Sequence, residues 1–522
     1  MSVQSNKFYI TTPIYYVNDI PHIGHAYTTI AADVLSRYKR QMGYDVFFLT
    51  GTDEHGQKVA EAAEKKGQTP QEFVDAVAPR FKQAWEILGI NYDDFIRTSE
   101  DRHVAVVQKI FAKLKTQGDI YKGKYEGLYC VPCESFWTEA QLRESNGKCP
   151  TCGRKVKKVK EETYFFKQSK YAEKLLKHIE KNPAFILPEA RKNEVVNFIK
   201  QGLKDLSITR TTFSWGVKVP DDDKHVLYVW FDALINYVSA LDYLGDTSTS
   251  PRLRSGATLS AREKFKKYWP ADVQLMGKEI VRFHAITWAC MLLALDIPLP
   301  KTIFGHGWWT VEGQKMSKTK GNVVDPLDLV DQWSVDFVRY FILREVPFGA
   351  DGDFSHAALL HRYNADLAND IGNLLNRSLT MVEKYFGGII PDADNLNFDE
   401  FSSELVNLIK ETPGIVDAYM NKLAFSNALD AIWELINKAN KYIEQEAPWK
   451  LSKDGHEEKL KAVMLNLMET LKTVAILVTP FMFSTGPMIL AQMGLGKNTD
   501  FSPGTKIAGI RVEKGQPLFP RR

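Results

Sequence analysis

The chain has 522 residues, more than one ordinary domain holds, so two to four folding units are expected. Hydrophobic residues make up 44% and charged residues 25%, the balance of a soluble globular protein with sizeable cores, and no run approaches the roughly 18 apolar residues of a membrane span. The polar start, Met1 to Lys7, excludes secretory and transit character, so a cytoplasmic location without membrane contact is expected; a net charge of only +3 means that any polyanion must be met by basic residues concentrated on one face.

Phe8 to Thr12 is β-rich and stops at Pro13, which predicts a strand followed by a loop. Asn18, Asp19, Pro21 and Gly24 are turn formers within that loop. Beyond it, Ala31, Val34, Leu35 and Tyr38 recur at helical spacing, and Gly43 is the stop signal. A second strand, Asp45 to Thr50, leads into Gly51-Thr52-Asp53-Glu54-His55-Gly56. Strand, loop, helix and strand make one βαβ unit of a parallel sheet. From about Ile120 to Phe213 the alternation breaks, and Lys and Cys become frequent, as in an insertion. The pattern returns with strands expected at Val226-Leu227-Tyr228-Val229-Trp230-Phe231, Val273 to Met276 and Thr302 to Phe304. Gly245 to Lys267, rich in Ser, Thr and charge, reads as a surface excursion. From about Ser355 the chain reads as helical, with Ile432, Leu435, Ile436, Ala439, Tyr442 and Ile443 on one buried stripe that Pro448 terminates.

Three motifs carry chemistry. His22-Ile23-Gly24-His25 opens the helix after the first strand, at the edge of a parallel sheet where ligands bind. A helix N-terminus offers free N–H groups to phosphate, and two imidazoles can donate to developing charge. A loop with two incidental histidines is the alternative for these four residues by themselves. Lys315-Met316-Ser317-Lys318-Thr319, between Gly313 and Gly321, suggests a mobile loop whose two lysines converge on one polyphosphate; a solvated basic turn is the alternative. Cys130-x-x-Cys133 and Cys149-x-x-Cys152, with fifteen residues between the pairs, suit a structural Zn²⁺ held by four thiolates rather than a catalytic one. The remaining cysteine, Cys290, lies in an apolar helical run and reads as packing.

The first two motifs together resemble the signature sequences of class I aminoacyl-tRNA synthetases. That resemblance implies a Rossmann-type α/β catalytic domain that condenses an amino acid with ATP, taken with Mg²⁺, to an aminoacyl-adenylate and pyrophosphate. It makes His22, His25, Lys315 and Lys318 the catalytic residues, stabilising the transition state electrostatically. It assigns ATP binding to these four with Gly24 and Ser317, and to Gly277-Lys278-Glu279, which resembles a Gly-x-Asp ribose element with Glu279 where Asp is more usual. The segments Ile14-Tyr15-Tyr16, Trp230 to Tyr237 and Phe283 to Trp288 resemble those of methionyl-tRNA synthetases. Carried over, Ile14, Tyr16, Trp230, Leu234, Tyr237, Phe283, His284 and Trp288 bind the methionine side chain, and Asp53 pairs with its ammonium. Plain core is the alternative for the aromatics, and a strand-end turn for Asp53.

The short zinc-bearing insertion leaves no room for the large editing domain of the isoleucine, valine and leucine enzymes. The helical tail resembles an anticodon-binding bundle, with Asn369 and Trp449 as candidate contacts to tRNA(Met); Trp449 as a helix-end plug is the alternative. The implied organisation is a catalytic domain in two halves, 1–119 and 214–325, a connective insertion at 120–213, a stem-contact linker at 326–360 and an all-α domain at 361–522. No oligonucleotide-binding module follows, so a monomer is expected. Competing readings are a synthetase for another apolar amino acid and a zinc-knuckle nucleic-acid-binding protein without catalysis. Cys133→Ser is expected to release the zinc and destabilise the insertion, which metal analysis of the purified variant checks.

Overall fold

The computed structural model describes residues 6–17, 21–130, 135–137, 139–143, 145–150, 153–245, 261–315, 324–496 and 505–522. The chain divides into two compact units: Met1–Pro21 with Gly43–Trp85 and Asn91–His306, and His22–Met42 with Glu86–Ile90 and Gly307–Arg522. Among the described residues no helix is long and apolar enough to cross a membrane.

In the first unit the strands used below are β1 (Lys7–Tyr16), β2 (Asp45–Asp53), β3 (Asp94–Arg97), β4 (Ile120–Cys130), β5 (Lys157–Phe166), β6 (Ile186–Leu187), β7 (Asp222–Leu227), β8 (Val273–Gly277) and β9 (Thr302–His306). A six-stranded sheet has the order β3-β2-β1-β8-β9-β6, and every pairing in it is parallel. β1 lies between β2 and β8, with Ile10 opposite both Phe48 and Val273. Tyr9, Ile10, Phe48 and Leu49 are accordingly buried, as residues of central parallel strands covered on both faces are. The direction in which successive strands are added reverses between β1 and β8. Such a reversal leaves a crevice at the carboxyl ends of the strands.

β1 does not stop at Pro13 but runs on to Tyr16. A register shift between Thr11 and Ile14 carries the proline, which has no N–H for the ladder, past its neighbour. The strand expected over Val226 to Phe231 needs correction. β7 ends at Leu227 and pairs antiparallel with Thr209–Arg210 and Lys218–Val219 in a separate sheet. Helix α3 (Val229–Leu234) follows it. Its Val229, Phe231, Ala233 and Leu234 are all buried, so enclosure on several sides overrides the β preference of the residue types. The parallel sheet instead takes β6 from inside the stretch read as an insertion, with Ile186 opposite Ile303. β4 and β5 pair antiparallel from Ile120↔Phe166 to Tyr129↔Lys157. Of the surface excursion expected over Gly245 to Lys267, residues 246–260 lie outside the described residues, and Ala261–Tyr268 is helical.

Helices are α1 (Ile23–Gln41), α2 (Asp101–Thr116), α3 (Val229–Leu234) and α4 (Asn236–Ser239), then α5 (Val335–Arg344), α6 (Asn373–Phe386), α7 (Glu400–Met420), α8 (Phe425–Glu446), α9 (Pro448–Lys453), α10 (Glu457–Val478) and α11 (Thr485–Gln492). The stripe expected in α8 is realised: Ile432, Leu435, Ile436, Ala439, Tyr442 and Ile443 are each 0% exposed. Ala447, at φ 44°, closes that helix and Pro448 opens the next, where its missing N–H costs nothing.

Helix α1 belongs to the second unit and is held there by polar contacts along its carboxyl half. Asp33 and Arg339 of α5, both fully buried, meet at 2.6 Å. The same guanidinium donates to the carbonyls of Leu88 (3.1 Å), Phe481 (3.0 Å) and Pro480 (3.2 Å). Tyr38 donates to Asp417 at 2.7 Å and Lys39 to Asn421 at 2.6 Å, both at the end of α7. Removing one partner of a buried pair leaves an uncompensated charge. Asp33→Ala is therefore expected to cost about 3–5 kcal/mol of unfolding free energy, read from the chemical-denaturation midpoint, whereas Asp33→Leu with Arg339→Met should recover most of it.

Candidate active site

His22 caps α1 in an extended conformation, and its Nδ1 accepts the Gly24 N–H at 3.1 Å. His25 Nδ1 in turn accepts the His22 N–H at 3.3 Å. This is a capping box built from two imidazoles instead of the usual hydroxyl and carboxylate. The rings stack, with centroids 3.8 Å apart and planes 22° apart. A Cβ at Gly24 would lie 3.0 Å from His22 Cε1, so the ring uses the room the glycine leaves. Burial, then the neighbouring His22, holds the His25 pKa well below its ordinary value, so that ring is neutral. With Nδ1 accepting, its proton sits on Nε2. The helix start thus combines backbone N–H groups, the positive end of the macrodipole and a directed imidazole donor.

The second signature begins in a hairpin of the same unit, Trp309–Val311 paired with Gln314–Lys315. Glu312 (φ 49°) and Gly313 (φ 70°) make its turn, both left-handed as a type I′ turn requires. Asp353 accepts from Thr310 Oγ1 at 2.6 Å and from the Gly313 N–H at 2.8 Å, bracing that turn. Lys315 lies opposite Thr310 in this hairpin. Ser317 and Lys318 fall outside the described residues. Beyond the signature, the Val324 carbonyl accepts the Ile23 N–H at 3.2 Å.

In the first unit the sheet edge gathers Tyr16, Asp53 and Gly277. β1 ends at Tyr16, β2 at Asp53 and β8 at Gly277, with Tyr16 directly opposite Asp53. Lys58 Nζ lies over the Tyr16 ring at 5.0 Å. Tyr237, His284, Trp288 and Leu234 are buried, while Ile14, Tyr16, Trp230 and Phe283 are half-buried, and ring contacts join Trp230, His284, Tyr237 and Trp288 in one chain. Trp230 and Phe283 stack at 4.0 Å and 6°. The π-helical turn Phe283–Trp288 carries three of these side chains, and such turns often occur at functional sites.

Tyr237 Oη lies 2.7 Å from His284 Nε2, and His284 Nδ1 lies 2.9 Å from the Ile280 carbonyl. The carbonyl can only accept, so Nδ1 carries the proton and Nε2 accepts from the tyrosine. Burial lowers the His284 pKa to about 4, keeping the ring uncharged within an apolar enclosure. His284 therefore presents no charge to its aromatic neighbours.

On the turn after β8, Glu279 folds back over Gly277. A Cβ there would fall 2.5 and 2.6 Å from the two carboxylate oxygens, closer than contact allows, so glycine is needed for this carboxylate to reach the strand end. Cys130, at the end of β4, and Cys149 are buried in one small cluster with Trp137 and Leu142. The N–H of Gly153 donates to the Cys149 carbonyl at 2.8 Å. Cys133 and Cys152 lie outside the described residues. In the second unit Asn369 is exposed on the π-helical turn Tyr363–Gly372, and Trp449 of α9 is 41% exposed.

The sequence reading overlooked one group. Asp232 of α3 bridges His55, after β2, and His103 of α2 at 2.6 and 2.8 Å. The only sequence signal was an Asp inside the apolar run Trp230-Phe231-Asp232-Ala233-Leu234.

The family model for tRNA synthetases class I (M) matches residues 8–161 and 154–379. The chain is 55% identical over 519 residues to a methionine–tRNA ligase of Caldanaerobacter subterraneus subsp. tengcongensis, covering 98% of this chain and 78% of that protein. It is 52% identical over 525 residues to the methionine–tRNA ligase of Clostridium tetani, covering 99% and 79%. Among solved structures, Mycobacterium tuberculosis methionyl-tRNA synthetase in complex with methionyl-adenylate superposes with a TM-score of 0.92 at 39% identity, covering 99% of this chain and 100% of that one.

The His284 geometry sets a pH dependence. The unfolded imidazole takes a proton near 6.5, but the folded one refuses it until about 4. Its contribution to stability is therefore full above about pH 6.5 and is lost as the pH falls toward about 4. In an NMR titration the His284 ring is expected to stay neutral at pH 6, and Tyr237→Phe, which removes the donor to the neutral form, to raise its midpoint; a wild-type midpoint between 6 and 7 would contradict the assignment.

Proposed function

The chain belongs to the methionyl-tRNA synthetase family of class I tRNA synthetases, and from that premise we propose how its residues divide the work. The reaction is the ATP-dependent ligation of methionine to tRNA, through methionyl-adenylate and pyrophosphate and then transfer to the 3′ end of tRNA(Met). The observation that carries the assignment of residues is the convergence of Tyr16, Asp53 and Gly277 at adjoining ends of parallel strands.

Asp53 receives the substrate ammonium, leaving the carboxylate to attack the α-phosphate. Tyr16, Trp230, Tyr237, Phe283, His284 and Trp288 enclose the thioether, with Ile14 and Leu234 filling the remaining space. A thioether offers polarisable bulk and almost no hydrogen-bonding capacity, so an uncharged aromatic wall selects it by shape and dispersion. The Trp288 indole N–H, buried with no partner among the described residues, adds a weak donor suited to sulfur. Gly277 and Glu279 take the ribose. His22 and His25 donate through Nε2 to oxygens that gain charge in the transition state, and Gly24 lets the nucleotide approach the backbone. Lys315 and Lys318, with Ser317 beside them, engage the departing pyrophosphate; Mg²⁺ accompanies the ATP. Each such donor acts mainly on the transition state and not on ground-state binding.

Two buried cysteines in one cluster fit a thiolate metal site. Cys130, Cys133, Cys149 and Cys152 would hold a structural Zn²⁺, which supplies a cross-link to the connective insertion at 120–213. Residues 1–119 and 214–325 form the catalytic domain, 326–360 contact the acceptor stem, and 361–522 read the anticodon. There an exposed Trp449 stacks on an unpaired base and Asn369 adds a polar contact. The site of action is the cytoplasm.

Amino-acid-dependent ATP–pyrophosphate exchange tests this reading: among the twenty standard amino acids only methionine is expected to support it. Lys318→Ala should slow adenylate formation by about 10²-fold or more with little change in methionine affinity. Exchange supported by leucine, valine or cysteine but not methionine would overturn the pocket assignment.

A further inference from the structure

Asp232, in the first turn of α3, is fully buried between two imidazoles. Its Oδ2 lies 2.6 Å from His55 Nδ1, and its Oδ1 lies 2.8 Å from His103 Nε2. The contact extends from His103 Nδ1 to Ser239 Oγ of α4 at 2.8 Å. Burial alone would raise the Asp232 carboxyl; the charge and hydrogen bonds of His55 and His103 outweigh it and hold the group at about 2. A buried carboxylate gripped from two sides is a stiff connector, because letting go of either partner leaves charge uncompensated.

The elements it connects are the two halves of the amino-acid pocket. On one side, His55 lies just past Asp53, and its carbonyl accepts the Tyr16 hydroxyl at 3.0 Å. Trp215 fixes the same turn, donating to the Glu54 carbonyl at 2.6 Å and setting its ring against His55 with centroids 5.2 Å apart. On the other side, Asp232 lies between Trp230 and Leu234 on α3, and Tyr237 follows on α4. A ligand held by both its ammonium and its side chain has a fixed length, so the separation of those subsites decides how well it fits.

We propose that His55, Asp232 and His103 are positioning residues that set the distance between the ammonium subsite at Asp53 and the aromatic wall at Trp230 and Tyr237. They thereby determine affinity for an unbranched, thioether-bearing α-amino acid. The proposal rests on the methionine pocket described above and adds the group that gauges its length.

The experiment compares His55→Ala, His55→Asn and His55→Gln in the full chain by pyrophosphate exchange, varying methionine and ATP separately. An Asn amide nitrogen occupies the place of Nδ1 and can still donate to Asp232, whereas the Gln amide lies one bond too far. His55→Ala and His55→Gln are expected to raise the methionine KM about tenfold, with kcat within about threefold and the ATP KM within about twofold, and His55→Asn to restore most of the methionine affinity. If the alanine variant does not fold, the Asn and Gln pair carries the comparison. Methionine and ATP parameters that worsen together in step with melting temperature would overturn the proposal, as would an Asn variant no better than Gln. Wild-type chain that fails to exchange with methionine would instead defeat the pocket assignment beneath it.

Discussion

The pairing of β1 with β8 brings together strand ends that lie far apart in sequence. Parallel register at Ile10↔Val273 and Thr11↔Gln274 makes both strands finish at the same edge, with Tyr16 at one end and Gly277 at the other. β2 adds Asp53 on the far side of Tyr16 by the same geometry. An antiparallel neighbour would have sent one of these residues to the opposite edge. The strand order also reverses here, and such a reversal leaves a crevice at the strand ends that a ligand can occupy. The convergence of Tyr16, Asp53 and Gly277 thus depends on backbone pairing before any side chain is considered.

Neutral imidazoles recur in both units. His25 is kept uncharged by burial and by its neighbour, His284 by burial in an aromatic enclosure, and each ring has its tautomer set by a backbone group. A neutral ring bonded at one nitrogen presents one directed donor or acceptor at the other, without the desolvation cost of a buried ion. At the head of α1 this leaves a donor at His25 Nε2. At His284 it supplies an acceptor that orients Tyr237. Asp232 is the contrasting case: a buried charge, kept ionised because two histidines pay for its desolvation.

Some of this was legible in the residues alone. The stripe from Ile432 to Ile443 follows a helical period because one face of α8 is buried, and the strands at Val273 and Thr302 are short apolar runs between turn signals. The histidine motif was readable as a helix start because its capping is local: His22, Gly24 and His25 meet within one turn. Other features had no local signal. β6 has two residues in the sheet, too few to display a period, and only its pairing with Ile303 and Phe304 makes it a strand. Trp230 and Phe231 favour strands by type, yet enclosure at the pocket makes that segment helical. His55, His103 and Asp232 meet only after three elements pack, so no spacing announces them.

The most direct measurement is a crystal structure of the chain with a non-hydrolysable methionyl-adenylate analogue. The ammonium is expected within hydrogen-bonding distance of Asp53, the thioether between Trp230, Tyr237 and Trp288, and the ribose hydroxyls at Gly277 and Glu279. An analogue bound away from the ends of β1, β2 and β8, or one whose ammonium and ribose exchange those positions, would contradict the account.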